Sequence, residues 1–136
     1  MVEFALGSGI LLAVFSGTFE FGYTFIQYNK LETAVEAGAR YASIVPFDSA
    51  TQTPSPAFAS AVRNMVVYGS PSGGDSPVVS GLATGNVDVT VTFDNGVPAL
   101  IKVNISGYTI SALFGTHTLT GKPQVTYPYH GVWAPA

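Results

Sequence analysis

The residues able to do chemistry are few and poorly arranged for it. His117 and His130 have no acid at a spacing that would pair with either, and a catalytic histidine needs such a partner. Serines are plentiful, yet no G-x-S-x-G surrounds any of them, so no nucleophile elbow exists. Asp75, Asp88 and Asp94 are too scattered for a calcium loop and read as turn or solvent-facing residues. Gly7-Ser8-Gly9 lies inside an apolar run, which suits close helix packing rather than phosphate binding. Asn104-Ile105-Ser106 fits the N-glycan acceptor pattern, but reads as a chance match on an exposed strand face. With no cysteine, thiolate metal sites, disulfides and cysteine nucleophiles are all excluded. No catalytic residue, metal ligand or cofactor is expected.

Glu20 stands apart. It interrupts an apolar stretch, where an unpaired carboxylate is costly. It is expected either protonated or snorkelling at a membrane edge, or paired with a donor such as Lys30 or Arg40 on a staggered neighbour.

The elements that carry these groups follow from composition. The chain has 136 residues, enough for one modest core, with 47% hydrophobic and only 10% charged residues. Mean hydropathy is +0.36, which argues against disorder. A net charge of −3 with five Lys and Arg offers no footprint for nucleic acid. All nine prolines lie at or beyond Pro46; every glutamate precedes it and every aspartate follows it. Glutamate tolerates helix interiors while aspartate favours turns. The chain therefore divides into a long helix over 1–45 and an α+β head over 46–136.

Phe4–Phe19 is uncharged and about 24 Å long as helix, short of the roughly 30 Å hydrocarbon core. Continuing to Tyr28 spans a bilayer and includes Glu20, at about 2.5–3.5 kcal/mol if it lies centrally. From Phe21 the pattern turns amphipathic: Phe21, Phe25, Tyr28, Leu31, Val35, Ala39 and Ala42 recur at steps of three and four. Glu36 to Arg40 is the favourable i,i+4 order. Ala34, Ala37, Gly38, Ala39 and Ala42 are small enough for a second backbone to come close. The residue before Pro46 is disfavoured as helix, so a helix of about 65 Å is predicted to end near Ile44. Its N-terminal half should project, apolar all round, and needs lipid or protein around it. The first lysine is Lys30, and a basic leader is expected to have been removed or to lie upstream. The many aromatics from Phe4 to Tyr28 are read as packing groups rather than as a conductive path.

Four pieces in this register resemble one family: Val2-Glu3-Phe4-Ala5-Leu6, Phe19-Glu20-Phe21-Gly22, Tyr28-Asn29 and Gly38-Ala39-Arg40-Tyr41-Ala42. They are similar to TadE-type pseudopilins of tight-adherence (Tad) pilus systems, over about the first third of the chain. The resemblance implies a pilin-like α+β fold: a long N-terminal helix with a projecting apolar half, packed on a short helix and a small antiparallel sheet. It also implies a prepilin, cut by a prepilin peptidase, held in the bacterial inner membrane and built by pilus assembly machinery into an extracellular filament of identical subunits. Glu3 then matches the acid that pairs with a terminal amine during assembly, though it stands nearer the first residue than the family pattern has it. Glu3, Phe4, Leu11, Phe15, Phe19, Glu20, Phe21, Phe25 and Arg40 are the expected assembly residues. The alternative is a minor, tip or priming pseudopilin, or a single-pass surface protein that never polymerises. An enzyme or binding module on a membrane stalk is the third reading, and no site supports it.

In the head, Ser55-Pro56 reads as a helix N-cap, followed by Phe58, Ala61, Val62, Met65 and Tyr68 at helical spacing and a stop at Gly69. This helix is expected to cover the sheet. Residues 69–85 read as a turn-rich surface loop. Val87, Val89, Val91 and Phe93 alternate with polar residues, as do Ala99, Ile101, Val103 and Ile105, with a turn over Asp94–Pro98. Ile110–Phe114 reads as an apolar connection. Thr116–Thr120 and Gln124–Tyr129 read as strand interrupted by Gly121-Lys122-Pro123, with Pro123 at an edge or bulge.

Overall fold

A computed structural model describes residues 2–112 and 114–135; Met1, the candidate mature terminus, lies outside them. The order is α1 (Val2–Ile44), α2 (Pro56–Tyr68), a 3-10 turn (Thr84–Asn86), β1 (Val87–Asp94), β2 (Val97–Ser111) and β3 (Thr116–Pro128). The long N-terminal helix, short helix and antiparallel sheet make a pilin-like α+β arrangement. The sheet runs β1-β2-β3, with β2 in the middle.

α1 is a single helix because nothing in its 43 residues breaks it. Its buried residues begin only at Leu31 and continue through Ala34, Val35, Gly38, Ala39, Ala42 and Ser43. The small-residue face receives two partners. A methyl group on Gly38 would collide with Val66 of α2, so the two helices cross at closest approach there. The same half of α1 also lies against β2 and β3. α2 starts as its sequence dictates, with Ser55 Oγ accepting the Phe58 N–H at 3.1 Å and Pro56 in the first turn. It stops at Gly69, whose φ of 71° is left-handed and whose N–H donates to the Met65 carbonyl.

The β1–β2 hairpin has the register the alternation predicts, Val87 opposite Ile105 through Val91 opposite Ile101. Asn95 and Gly96 both have positive φ, 50° and 83°, the requirement of a two-residue hairpin turn. Three expectations need correction. Val97 and Pro98 belong to β2, not to the turn, because an extra residue at Ala99 lets the ladder continue to Asp94–Val97. Ile110 and Ser111 also belong to β2, with Ile110 buried; Leu113 of the expected connection lies outside the described residues. β3 is continuous, passing Gly121-Lys122-Pro123 as a bulge between the Ser106–Thr120 and Asn104–Gln124 pairs. Pro123 thus sits at a bulge on an edge strand, as expected.

The loop after α2 is only partly a surface loop. Val79 and Leu82 are buried, and Tyr108 Oη donates to the Ser80 carbonyl at 2.8 Å. Burial raises the Tyr108 pKa above the ordinary tyrosine value. Asn104 is another correction: it is buried on the middle strand, where it faces its cross-strand partner Asp88 and donates to Asp88 Oδ2 at 3.3 Å.

Phe47 is the largest fully buried side chain, just beyond the helix end. Its ring meets Phe58, Phe93 and Tyr129 edge-on at centroid distances of 5.1, 6.0 and 6.3 Å. The C-terminal tail straps this cluster in place. His130 N–H donates to the Ser43 carbonyl, Phe47 N–H to Val132, and Ala134 N–H to Phe47, all within 2.8–2.9 Å. Tyr129 Oη also accepts the Phe47 N–H at 2.9 Å while facing the carbonyls of Val45 and Val132. Desolvation raises its pKa, and the Phe47 N–H pulls it partly back.

Two outcomes follow. Phe47→Ala is expected to cost about 3–5 kcal/mol in chemical denaturation, through a cavity among three aromatic rings. Tyr108 and Tyr129 favour the neutral phenol when folded, so their contribution is intact below the ordinary tyrosine pKa of about 10. It is lost as pH rises through their higher folded values. The melting temperature should therefore hold from pH 7 to 9 and fall above about pH 10, less steeply in Tyr129→Phe.

Candidate assembly interface

From Val2 to Phe19 the directions of the side chains on α1 follow from helical geometry. An 18-residue window of the helix has mean hydropathy 1.6 with none of it buried, so α1 is long and apolar enough to cross a membrane. At 100° per residue, Phe4, Leu11 and Phe15 fall within about 40° of one another and form one stripe, with Phe19 beside it. Phe4 is 81% exposed, and Leu11, Phe15 and Phe19 are similarly bare. Phe21 and Phe25 stack on the adjoining flank, centroids 6.4 Å apart. Gly7, Gly9, Gly17 and Gly22 have nothing within 4 Å of a would-be Cβ, leaving open notches between the large side chains. Ser8 and Thr18 turn their hydroxyls onto the Ala5 and Val14 carbonyls, which hides polar groups in the apolar arm. Glu3 is exposed in the first turn.

Glu20 lies about 160° round the helix from Phe4, on the stripe that continues through Gln27, Leu31, Gly38 and Ala42 into the core. It is the lowest rung of the head-facing side. Both carboxylate oxygens accept the backbone N–H of Phe114, each at 3.1 Å. A carboxylate bonded to a backbone amide is well solvated by protein, and such charge-assisted bonds are stronger than neutral ones. The expected partners are not within reach in the same chain: Lys30 is about 15 Å and Arg40 about 30 Å further along the axis. The acid therefore ties the β2–β3 hairpin tip to the helix, a contact between residues 94 positions apart that no local pattern announces.

Arg40 is exposed and bonded to Glu36 at 2.9 Å. Tyr127 of β3 donates to the same Glu36 oxygen at 3.3 Å. Tyr127 first, and Glu36 second, raise the Arg40 pKa. An open groove of about 550 Å³ runs between α1 and α2, lined by Ile26, Ala34, Ala37, Met65, Val66 and Val78. The structure brings Phe4, Leu11 and Phe15 onto one face and Phe21 against Phe25. It leaves Glu3, Glu20 and Arg40 far apart. Phe114 and Tyr127 are the functional candidates that sequence reading passed over, although the apolar Ile110–Phe114 stretch was a signal for the first. His117 and His130 are both exposed. Among the described residues, no group of three or more His, Asp or Glu is placed to hold a metal.

Residues 1–40 match the family model described as TadE-like protein. The matched segment is the α1 arm together with the first buried turns of the same helix. No curated protein and no solved structure matches the chain.

Glu20→Ala removes the acceptor for the Phe114 N–H without touching the core. Amide hydrogen exchange at Phe114 should speed up by at least tenfold, with the melting temperature nearly unchanged. Unaltered exchange would mean that the tip is held by something else.

Proposed function

We propose that this chain is a structural subunit of an extracellular pilus-like filament and polymerises through its N-terminal helix. One observation carries the reading: the apolar arm of α1 is unburied along its length, on a helix whose first 40 residues match a family of Tad-pilus-associated proteins. Before assembly, the arm rests in the inner membrane. A prepilin peptidase and the pilus assembly machinery act on it there.

The physics of the transfer sets what the arm must do. Leaving lipid for a protein core yields little hydrophobic free energy, because lipid tails are as apolar as leucine. Discrimination between membrane and filament then rests on close packing and on polar pairs. The Phe4–Leu11–Phe15 stripe supplies large knobs, and the open notches at Gly7, Gly9, Gly17 and Gly22 admit a neighbour's side chains. A contact between one copy's arm and a different surface of the next is heterologous, and such contacts generate open helical assemblies. Glu3 and Arg40 add the polar component: Glu3 has an exposed carboxylate for a neighbour's terminal amine, and Arg40 lies at the outer end of the same rod. The family is structural, and the arm needs no catalytic group to do this.

Shearing the cell surface and imaging the high-molecular-weight fraction by electron microscopy, with mass spectrometry of the same material, tests the reading. Filaments composed mainly of this chain are expected. Phe15→Ala should keep the chain in the membrane while shortening those filaments several-fold. A chain confined to the membrane fraction, or present in traces beside another pilin, would make it a minor or non-polymerising component instead.

A further inference from the structure

We infer that the β2–β3 hairpin tip is a second membrane-contact element, which lies in the headgroup layer beside the helix where α1 leaves the bilayer. The inference rests on the reading of α1 as a membrane-crossing helix. Three observations carry it. Phe114 at the tip is 68% exposed although the side chain is large and apolar. The sequence from Ile110 to Thr116 contains no charge, so placing it at an interface strips water from no ionised side chain. Its height is fixed, because the Phe114 N–H is held by Glu20, the residue that ends the uncharged Phe4–Phe19 run.

Height decides the partner. The uncharged Phe4–Phe19 run covers about 24 Å of the roughly 30 Å hydrocarbon core, so with its start at one face Glu20 stands within about 6 Å of the other, and the tip stands at that level with it. Just beyond that level the helix carries Tyr23 and, about 12 Å from Glu20, Tyr28, and tyrosine is enriched where membranes meet water. Phe114 adds one more ring, presented from the head. Phe19, Glu20, Tyr23, Ser111 and Ala112 together line a cleft of about 240 Å³, so helix and tip form one continuous surface. Glu20 acts here as a positioning residue. Its charge is shared with a backbone amide, which lowers the cost of holding a carboxylate at the edge of the hydrocarbon.

The absence of native cysteine allows single nitroxide labels to be placed without other changes. Leu11→Cys, Phe114→Cys and Asp94→Cys are labelled, and the chain is reconstituted in phosphatidylethanolamine–phosphatidylglycerol vesicles. Phe114→Cys keeps the backbone N–H that Glu20 holds, and the native side chain is exposed, so folding is not at stake. Collisions with oxygen, which concentrates in lipid, are compared with collisions with a water-soluble nickel chelate. The label at 114 is expected to show an oxygen-to-nickel ratio between those at 11 and 94, falling toward that at 94 in a Glu20→Ala background. A deep label at 11 with a fully aqueous label at 114 overturns the inference and leaves the membrane helix standing. An aqueous label at 11 overturns both. A label at 114 shielded from oxygen and nickel alike would place the tip against a second copy of the chain and also overturn it. An unchanged ratio in Glu20→Ala would remove the positioning role.

Discussion

One unbroken hydrogen-bonded helix has to satisfy two surroundings, and the rest of the structure answers to that requirement. Without a proline before Pro46, α1 cannot turn away from either environment. Beyond its first turn, its first half keeps its backbone groups bonded internally, the condition for entering lipid. Its second half trades bulk for proximity. At Gly38 the absence of a side chain lets α2 come within contact distance, and the sheet closes on the neighbouring flank. The head is thus assembled around the end of a rod rather than beside it.

Legibility in the sequence followed the range of the interaction responsible. The helix limits, the Ser55–Gly69 caps of α2 and the β1–β2 register arise from neighbours three, four or two positions apart, and all could be read directly. Phe47 gave no local sign of being the buried hub, because its partners Phe58, Phe93 and Tyr129 come from α2, β1 and the tail after β3. The tail strap likewise joins residues more than 80 positions apart. β3 looked broken because Gly121 and Pro123 ordinarily end strands, whereas a bulge absorbs both at a sheet edge. The exposed apolar stripe of the arm was legible as large residues at helical spacing. Glu20 was legible as an anomaly, but its internal partner was not, since a backbone amide across the fold leaves no trace in side-chain pattern.

The polar economy of the molecule is consistent with this division. In the arm the Ser8 and Thr18 hydroxyls are returned to its own carbonyls, while the head places charged and amide groups where strands and helices meet. Arg63 Nε donates to the Val87 carbonyl, joining α2 to β1, and Asp48 Oδ2 accepts Ser55 Oγ at the α2 cap. Bonds of this kind, to a charged group, contribute about 1.5–3 kcal/mol each, and they fix the orientation of elements that burial alone would leave free to slide.

The strap between the helix exit and the C-terminal tail bears on mechanics. Phe47 and Trp133 form a parallel bridge, with Trp133 Nε1 also bonded to the Ser49 carbonyl. Tension applied to the rod enters the head just beyond Ile44, where the two segments run side by side in the same direction. Drawing one past the other loads their hydrogen bonds together in shear, instead of peeling them open in turn. In the proposed filament, a pull on the rod would reach the head through this short splice, which helps hold the head to its own stem.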